Sequence, residues 1–230
     1  MNRVTLASAL ALTITTAATA QNFEIRVGGL AMNTRRHIEI GSGNIAQNSG
    51  TVTGAEFMLR GLGAGLSAHY AQGTFRPAAS VTGYSDFRAA DVRLLLGPRP
   101  FTVELGYARR ALSSKLLDDP GEYLATVGVR SQIDLGPAGF SIMVAGTVLG
   151  RIAADTASTG SLATPSKKVG IGGLAAETGV LYQAPRHLPL FGFLGYRYER
   201  FKTRVTAASN PGRREEMGGV VLEFGLRYIK

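Results

Sequence analysis

The sequence predicts an all-β protein, a closed antiparallel up-and-down transmembrane β-barrel of about ten strands. Three observations lead to this prediction. Apolar and polar residues alternate along most of the chain, long and short connections follow one another between the alternating segments, and aromatic residues gather at the segment ends. The 230 residues include no Cys and three His, so disulfides and thiolate metal sites are excluded, and we expect neither a metal nor a cofactor.

Residues 1–20 have the features of a secretory signal peptide. One charge, Arg3, precedes an uncharged stretch rich in Leu, Ala and Thr, and residues 18–20 (ATA) form a small-residue cleavage site. We expect Sec-type export with cleavage near Ala20, which leaves residues 21–230 as a single barrel domain. No later window reaches the roughly 18 apolar residues of a membrane helix, so strands must make any membrane crossing.

Ten segments of the chain alternate with a period of two. We call each set of alternate positions in a segment a parity, because its side chains point to one face of the strand. One parity carries Val, Leu, Ile, Phe and Tyr, and the other carries charged residues, Gly, Ser and Thr. The last segment alternates Val220, Leu222, Phe224, Leu226 and Tyr228 with Glu223, Gly225 and Arg227. Segments of about 10 to 15 residues can cross a bilayer when tilted. Eight strands are the alternative, if the segments near Leu66 and Val169 pair otherwise.

The connections between these segments alternate in length. The short ones are rich in Gly and Pro, as tight hairpins require, and span residues 61–65, 97–100, 136–139 and 184–189. The long ones span residues 33–50, 76–86, 111–121, 151–168 and 207–215. An even strand number leaves both chain ends on the short-turn side, which is the layout of an outer-membrane barrel with periplasmic turns and extracellular loops.

Aromatic residues form two expected belts. Near the short turns lie Phe23, Phe101, Phe140, Tyr182, Phe191 and Tyr228. Toward the long loops lie Tyr70, Phe87, Tyr107, Tyr123, Tyr196 and Tyr198. Amphipathic rings at both interfaces are typical of a spanning barrel. A soluble β-sandwich or lipocalin-like barrel remains an alternative, because alternation alone does not distinguish lipid from a protein core.

The final strand carries polar, glycine and aromatic residues at Glu223, Gly225 and Tyr228, followed by Lys230. In the first three positions it resembles the C-terminal signature read by the barrel assembly machinery, whose usual terminal aromatic is replaced here by Lys230. Over its mature length the chain resembles small bacterial outer-membrane β-barrel proteins of the OmpA-like or OmpX-like kind. The resemblance implies a location in the Gram-negative outer membrane and assembly by that machinery, and it implies no particular activity.

Parity places a nearly neutral set of charges inside the barrel. We expect an ion-pair network, since guanidinium groups pair well with carboxylates and unpaired charges are costly to bury. Its members are Glu24, Arg26, Glu56, Arg60, Asp91, Arg93, Glu104, Arg130, Glu177, Arg197, Glu199, Glu223 and Arg227, with Arg110 and Asp134 on the same face. A barrel of about ten strands is narrow, so we expect a closed or barely conducting lumen.

The remaining charge is basic and lies toward the long loops. Cleavage would leave a net charge of +8, one less than the +9 of the whole chain, because Arg3 alone is removed. We expect a rim that binds the phosphates of lipid or lipopolysaccharide, formed by Arg35, Arg36, Lys167, Lys168, Arg200, Lys202, Arg213 and Arg214. The alternative is that these charges serve only solubility. Nucleic-acid binding is not expected of an exported chain without a basic and aromatic platform.

The best candidates for catalysis are Ser67 and His69, whose spacing puts both side chains on one strand face. The lipid-cleaving barrels that the chain resembles in size have His before Ser, which is the reverse order. We therefore expect a monomeric, non-enzymatic outer-membrane barrel with a structural or surface-interaction role. A small pore and a lipid-modifying enzyme on the same scaffold are the alternatives.

Overall fold

The computed structural model describes residues 23–40, 44–76, 85–114, 117–154, 170–185, 188–203 and 213–229. These residues form ten strands: β1 (Glu24–Ile40), β2 (Asn44–Gly61), β3 (Ala64–Arg76), β4 (Ser85–Leu96), β5 (Phe101–Ser114), β6 (Leu117–Asp134), β7 (Phe140–Ala154), β8 (Gly170–Gln183), β9 (Leu190–Thr203) and β10 (Arg213–Ile229). Each strand pairs antiparallel with its neighbours in sequence, and β1 pairs with β10 to close the barrel. The predicted fold class is confirmed. The expected signal peptide, residues 1–20, lies outside the described residues.

The register of the strands fixes the stagger of the barrel. Glu24 is paired with a residue of β2, that residue with one of β3, and so on around the barrel. After all ten strands this path returns to β1 at Arg36, twelve residues beyond Glu24. A stagger slightly larger than the strand number corresponds to a tilt of roughly 40° from the barrel axis. Closure leaves no sheet edge within the barrel wall.

The two faces of the wall have opposite chemistry. On β10 the side chains of Phe224 and Val220 are 64% and 54% exposed on the outside, whereas Glu223, between them, faces the interior and is 6% exposed. The same inversion holds on β5, where Glu104 is 1% exposed and the neighbouring Val103 and Leu105 face outward. Apolar side chains therefore cover the outside of the barrel and carboxylates lie within it.

The interior also contains apolar side chains, which the sequence analysis did not expect. One buried cluster comprises Leu30, Met32, Val52, Ala71, Phe75, Phe87, Met143, Leu181, Phe191, Phe193, Met217 and Val221, and a second comprises Leu124, Leu149 and Phe201. The reason is geometric. The inward parity continues along the whole of each strand, and apolar side chains at inward positions pack against one another between the charged groups.

Two assignments to the aromatic belts are wrong. Phe191 and Phe87 are 4% and 3% exposed and lie inside the barrel, because each shares the parity of inward residues on its strand. The other belt residues face outward, and Phe140 packs against Tyr182 on the neighbouring strand with ring centroids 4.9 Å apart. Among the described residues there is no helix with the length and apolarity to cross a membrane.

The strands are longer than the alternation predicted. Residues 33–50 were expected to form a loop, yet β1 continues to Ile40 and β2 begins at Asn44; likewise β5 ends at Ser114 and β6 begins at Leu117. Ladder hydrogen bonds satisfy the backbone in water as well as in lipid, so strand pairing does not stop at the membrane surface. The short turns are as predicted, and Leu62 and Gly63 both have positive φ, as a two-residue hairpin turn requires.

Gly225 lies where β10 meets β1, and its lack of a side chain permits close contact. A Cβ atom there would collide with the Val27 carbonyl oxygen and Gly28 Cα and stand 2.9 Å from the Phe191 ring. We predict that Gly225→Ala lowers the free energy of unfolding by about 1–3 kcal/mol through overpacking. Urea unfolding of the barrel in detergent micelles measures this change.

Gly146→Ala is the matched control for Gly225→Ala. Gly146 is exposed on the outside of β7, and a Cβ atom there would have no neighbour within 4 Å. Equal stability of the two variants would contradict the close packing at the β1–β10 seam.

Candidate functional site

The charged groups of the interior form three clusters along the barrel. The lower cluster lies at the short-turn end and is centred on Glu24, the first residue of β1. Its Oε1 accepts hydrogen bonds from Arg26 Nε at 2.7 Å and Arg227 Nε at 2.6 Å, and its Oε2 accepts one from Arg99. One carboxylate thus joins three guanidinium groups that come from β1, β10 and the β4–β5 turn.

Arg99 brings a charge from the turn into the lower cluster. Burial lowers the pKa of its guanidinium to about 10, while the Glu24 carboxylate opposes this change. The neighbouring Arg60 donates from one nitrogen to the Gly97 carbonyl oxygen at 2.7 Å and to Thr102 Oγ1 at 2.8 Å. Because the described carboxylates here are fewer than the guanidiniums, the lower end of the lumen is basic.

The middle cluster begins with a chain of alternating charges on β4, β5 and β6. Arg93 contacts Asp91 at 3.0 Å and Glu104 at 2.8 Å, and the other oxygen of Glu104 accepts from Arg130 Nε at 2.6 Å. Glu104 is almost completely buried, so two guanidiniums share one desolvated carboxylate. Arg130 also lies 3.1 Å from the sulfur of Met143.

The middle cluster continues on β8, β9 and β10. Arg197 forms an ion pair with Glu177 and lies 3.4 Å from Glu223. Glu56 of β2 faces the same interior space. The described residues of the middle cluster include more carboxylates than guanidiniums, which is the opposite of the lower cluster.

The upper cluster lies at the far end of β1, twelve residues beyond Glu24. Arg36 Nε lies 2.7 Å from Glu215, whose same oxygen lies 3.0 Å from Arg110. Arg110 also pairs with Glu199. Arg36 was expected at the outer rim, and this expectation is wrong: Arg36 is 2% exposed and has the inward parity of Glu24 and Arg26.

Aromatic rings pack directly against the upper cluster. The guanidinium of Arg36 lies 5.3 Å from the centroid of Phe75, and that of Arg110 lies 5.3 Å from Phe87 and 5.7 Å from Phe201. These are cation–π contacts, which are strongest when water is excluded. The upper end of the lumen therefore contains both ion pairs and bulky apolar groups.

Ser67 and His69 both face the interior of the barrel. Nδ1 of His69 lies 3.5 Å from Asp91, and its Nε2 is buried without a hydrogen-bond partner. Within the described part of the chain no hydrogen bond joins Ser67 to His69, and no group of three or more His, Cys, Asp or Glu could hold a metal ion.

One internal cavity of about 150 Å³ runs among the clusters. Small side chains leave this space, since Ala71, Ala89, Ala108 and Ala145 all line it. Charged residues of each cluster border it, from Arg60 below to Arg110 above. A polar cavity of this volume has room for water molecules beside the charged groups.

A ring of basic side chains faces outward above the upper tyrosines. Arg109 and Arg200 follow Tyr107 and Tyr198 by two residues on the same face, and Arg109 lies 5.5 Å from the Tyr123 ring. Further outward-facing bases are Arg35, Arg76, Arg88, Lys202 and Arg214. Glu216 is bordered by two of them, with Arg214 at 2.7 Å and Arg200 at 3.3 Å.

The structure describes only part of the expected rim. Arg35, Arg200, Lys202 and Arg214 lie on the outside of β1, β9 and β10. Lys167, Lys168 and the side chain of Arg213 lie outside the described residues. Arg109 was not predicted as a rim residue, although its position two residues beyond Tyr107 on the outward parity could have indicated it.

No protein-family model matches the sequence, and no curated protein matches it. Among solved structures, Neisserial surface protein A is 12% identical with a TM-score of 0.43, over 89% of this chain and 96% of that chain. Outer membrane protein OprG from Pseudomonas aeruginosa is 14% identical with a TM-score of 0.36, over 92% and 96%. The translocator domain of autotransporter NalP from Neisseria meningitidis is 10% identical with a TM-score of 0.36, over 95% of each chain.

These TM-scores are too low to decide the class of the protein. The chemistry of its own surface decides it. A closed antiparallel sheet that exposes Val, Leu and Phe and buries ion pairs is suited to lipid, not to water. This chain is a small transmembrane β-barrel.

Glu104 allows the energetic role of the interior pairs to be tested. We predict that Glu104→Gln lowers the free energy of unfolding by about 3–5 kcal/mol, because Arg93 and Arg130 lose a buried counter-charge. Glu216→Gln is the control, since this partly exposed outer carboxylate also contacts two arginines but should cost less than about 1 kcal/mol. Denaturant unfolding in micelles gives both values, and similar losses for the two variants would contradict the prediction.

Proposed function

We propose that this protein is a non-conducting, non-enzymatic outer-membrane barrel that interacts with its surroundings through a basic outer surface. The observation that carries the proposal is the succession of three ion-pair clusters within one narrow lumen, with aromatic rings packed against the uppermost. The surface partner that we propose is the phosphate of outer-leaflet lipid or lipopolysaccharide.

The interior contacts support a closed lumen. The clusters hold side chains from opposite walls together: Arg110 on β5 reaches Glu199 on β9 and Glu215 on β10. Opening a channel would require such buried pairs to separate, which costs several kcal/mol for each charge left without a partner. A barrel of ten strands is also much narrower than a large porin, whose roughly 16 to 18 strands leave a water-filled channel.

The geometry of Ser67 and His69 supports a non-enzymatic role. A serine nucleophile needs a base within hydrogen-bond reach, but His69 contacts Asp91 instead. Both residues also line the lumen, bordered by Arg93 and Arg130, whereas an outer-leaflet lipid lies outside the wall.

The outward bases support a role at the membrane surface. They begin directly after the tyrosines that end the apolar exterior, which is where lipid phosphates lie. A guanidinium group can donate two parallel hydrogen bonds to a phosphate. We also propose cleavage near Ala20, insertion by the barrel assembly machinery and a monomeric state, for which the sequence pattern is the support.

Planar-bilayer recording tests the closed lumen. We predict that the purified protein gives no stable conductance steps, because the clusters occupy the lumen. The double variant Arg110→Ala/Phe201→Ala removes the ion pairs and ring contacts of Arg110 from the upper cluster and should increase the ion leak. Stable steps of nanosiemens size from the unaltered protein would show a pore and end the proposal of a closed lumen.

Lipid retention tests the outer bases. We predict that Arg109→Gln/Arg200→Gln lowers the amount of lipopolysaccharide that copurifies with the barrel by about three- to tenfold, since two charge-assisted contacts are lost. Arg186→Gln/Lys230→Gln is the control, because it removes the same charge from the sequence segment between β8 and β9 and from the residue after β10. Phosphate analysis of the purified protein gives the ratio, and equal retention by both variants would contradict specific binding at this surface.

A further inference from the structure

The outer wall of β1–β4 carries a continuous polar surface that the closed lumen does not explain. Its members face outward and lie above the apolar exterior; we call them the polar wall. They are Asn33, Arg35, Ser49, Thr51, Thr53, Gln72, Thr74, Arg76, Asp86 and Arg88.

The register arranges the polar wall as a grid. Asn33 is paired with Thr51, Thr51 with Thr74, and Thr74 with Asp86, so one row crosses four strands. The row beneath contains Thr53, Gln72 and Arg88, and the row above contains Arg35, Ser49 and Arg76. Neighbouring positions are about 4.8 Å apart across strands and about 6.7 Å apart along a strand.

An open groove of about 880 Å³ lies over the polar wall, and its lining includes the short hydroxyl side chains of Ser49, Thr51 and Thr53. Within the described residues, the internal hydrogen bonds of the wall are few: Tyr70 donates to Gln72 at 3.1 Å and Thr74 donates to Asp86 at 3.0 Å. Most of its donors and acceptors therefore point outward.

The position of the wall identifies its neighbour. Its lower border is Tyr70, below which the outward residues of β3 are Leu66 and Ala68. The polar wall thus starts where the lipid-facing surface ends.

The chemistry of the wall fits a sugar better than a simple phospholipid headgroup. Hydroxyl and amide side chains both donate and accept hydrogen bonds, as the hydroxyl groups of a saccharide do, whereas a phosphodiester only accepts. Three guanidiniums, Arg35, Arg76 and Arg88, border these groups and outnumber the single carboxylate of Asp86. This composition is complementary to a saccharide that carries negative charge.

We propose that the polar wall binds the saccharide portion of an anionic glycolipid of the outer leaflet. This inference rests on the proposed function for the location of the protein, and it assigns sugar recognition to one side of the barrel. The hydroxyl and amide groups bind the sugar, and the guanidiniums bind its phosphate or carboxylate groups.

The test compares two probe lipids and keeps the protein charge constant. The triple variant Thr51→Val/Thr53→Val/Gln72→Leu removes hydrogen-bonding groups and retains β-branched side chains at both Thr positions. Binding is measured in detergent micelles with lipopolysaccharide that carries core sugars and with phosphatidylglycerol. We expect lipopolysaccharide affinity to fall on the order of tenfold, as the loss of two or three hydrogen bonds implies, with phosphatidylglycerol affinity unchanged.

Two further variants serve as controls. Thr178→Val makes the same substitution at an outward position on β8, away from the wall, and should change neither affinity. Thr51→Ser/Thr53→Ser keeps the hydroxyl groups and should keep lipopolysaccharide affinity. The single variant Thr51→Val should lower it by a smaller factor than the triple variant, and it tests the wall even if the triple variant does not fold. Loss with the Ser variant, unchanged lipopolysaccharide affinity in the folded triple variant, or equal loss of both lipids would overturn the inference.

The outcome separates this inference from the proposed function. Failure of Arg109→Gln/Arg200→Gln to lower lipid retention would refute the basic ring, while a selective loss of lipopolysaccharide binding in the triple variant would still support the polar wall. Lower lipid retention in Arg109→Gln/Arg200→Gln, together with unchanged lipopolysaccharide binding in the triple variant, would support the basic ring and refute the polar wall.

Discussion

Pairing between guanidinium and carboxylate groups inside the barrel is the interaction on which the structure depends. The outside must be apolar to contact lipid, so charged residues on the spanning strands have to face inward. Charges inside a narrow wall need partners, and Glu24, Glu104 and Glu215 each accept from at least two guanidiniums. The same pairs also tie distant strands together, as Arg110 does when it joins β5 to β9 and β10.

Alternation predicted much of the fold because the period of a strand is a local property. A residue two positions from an inward charge also faces inward, whatever its partner. Parity therefore indicated the inward face of Glu104, Arg130 and Arg197 from sequence alone. The same rule, applied to the full strands, would have placed Arg36 and Phe87 inside; the error was to end the strands too early, since no residue in the sequence marks where pairing stops.

The partners within the clusters were beyond the reach of sequence reasoning. Arg110 and Glu215 are separated by 105 residues, and their contact depends on the stagger of the closed barrel. Stagger is a property of the whole sheet, fixed when β10 meets β1, and no local pattern encodes it. For the same reason the polar wall was not foreseen, because its rows bring together residues of four strands whose relative register becomes known only in the assembled sheet.

Closure by the first and last strands also has a kinetic meaning. Hairpins such as β2–β3 can form as soon as their two strands are present, whereas the hydrogen bond from Arg227 to Glu24 joins residues 203 positions apart. Until that final pairing occurs, β1 and β10 both present unsatisfied backbone groups, which invite pairing with another chain. The assembling molecule is therefore most vulnerable to aggregation just before its ends meet, and shielding these two edges is what any catalyst of its insertion must accomplish.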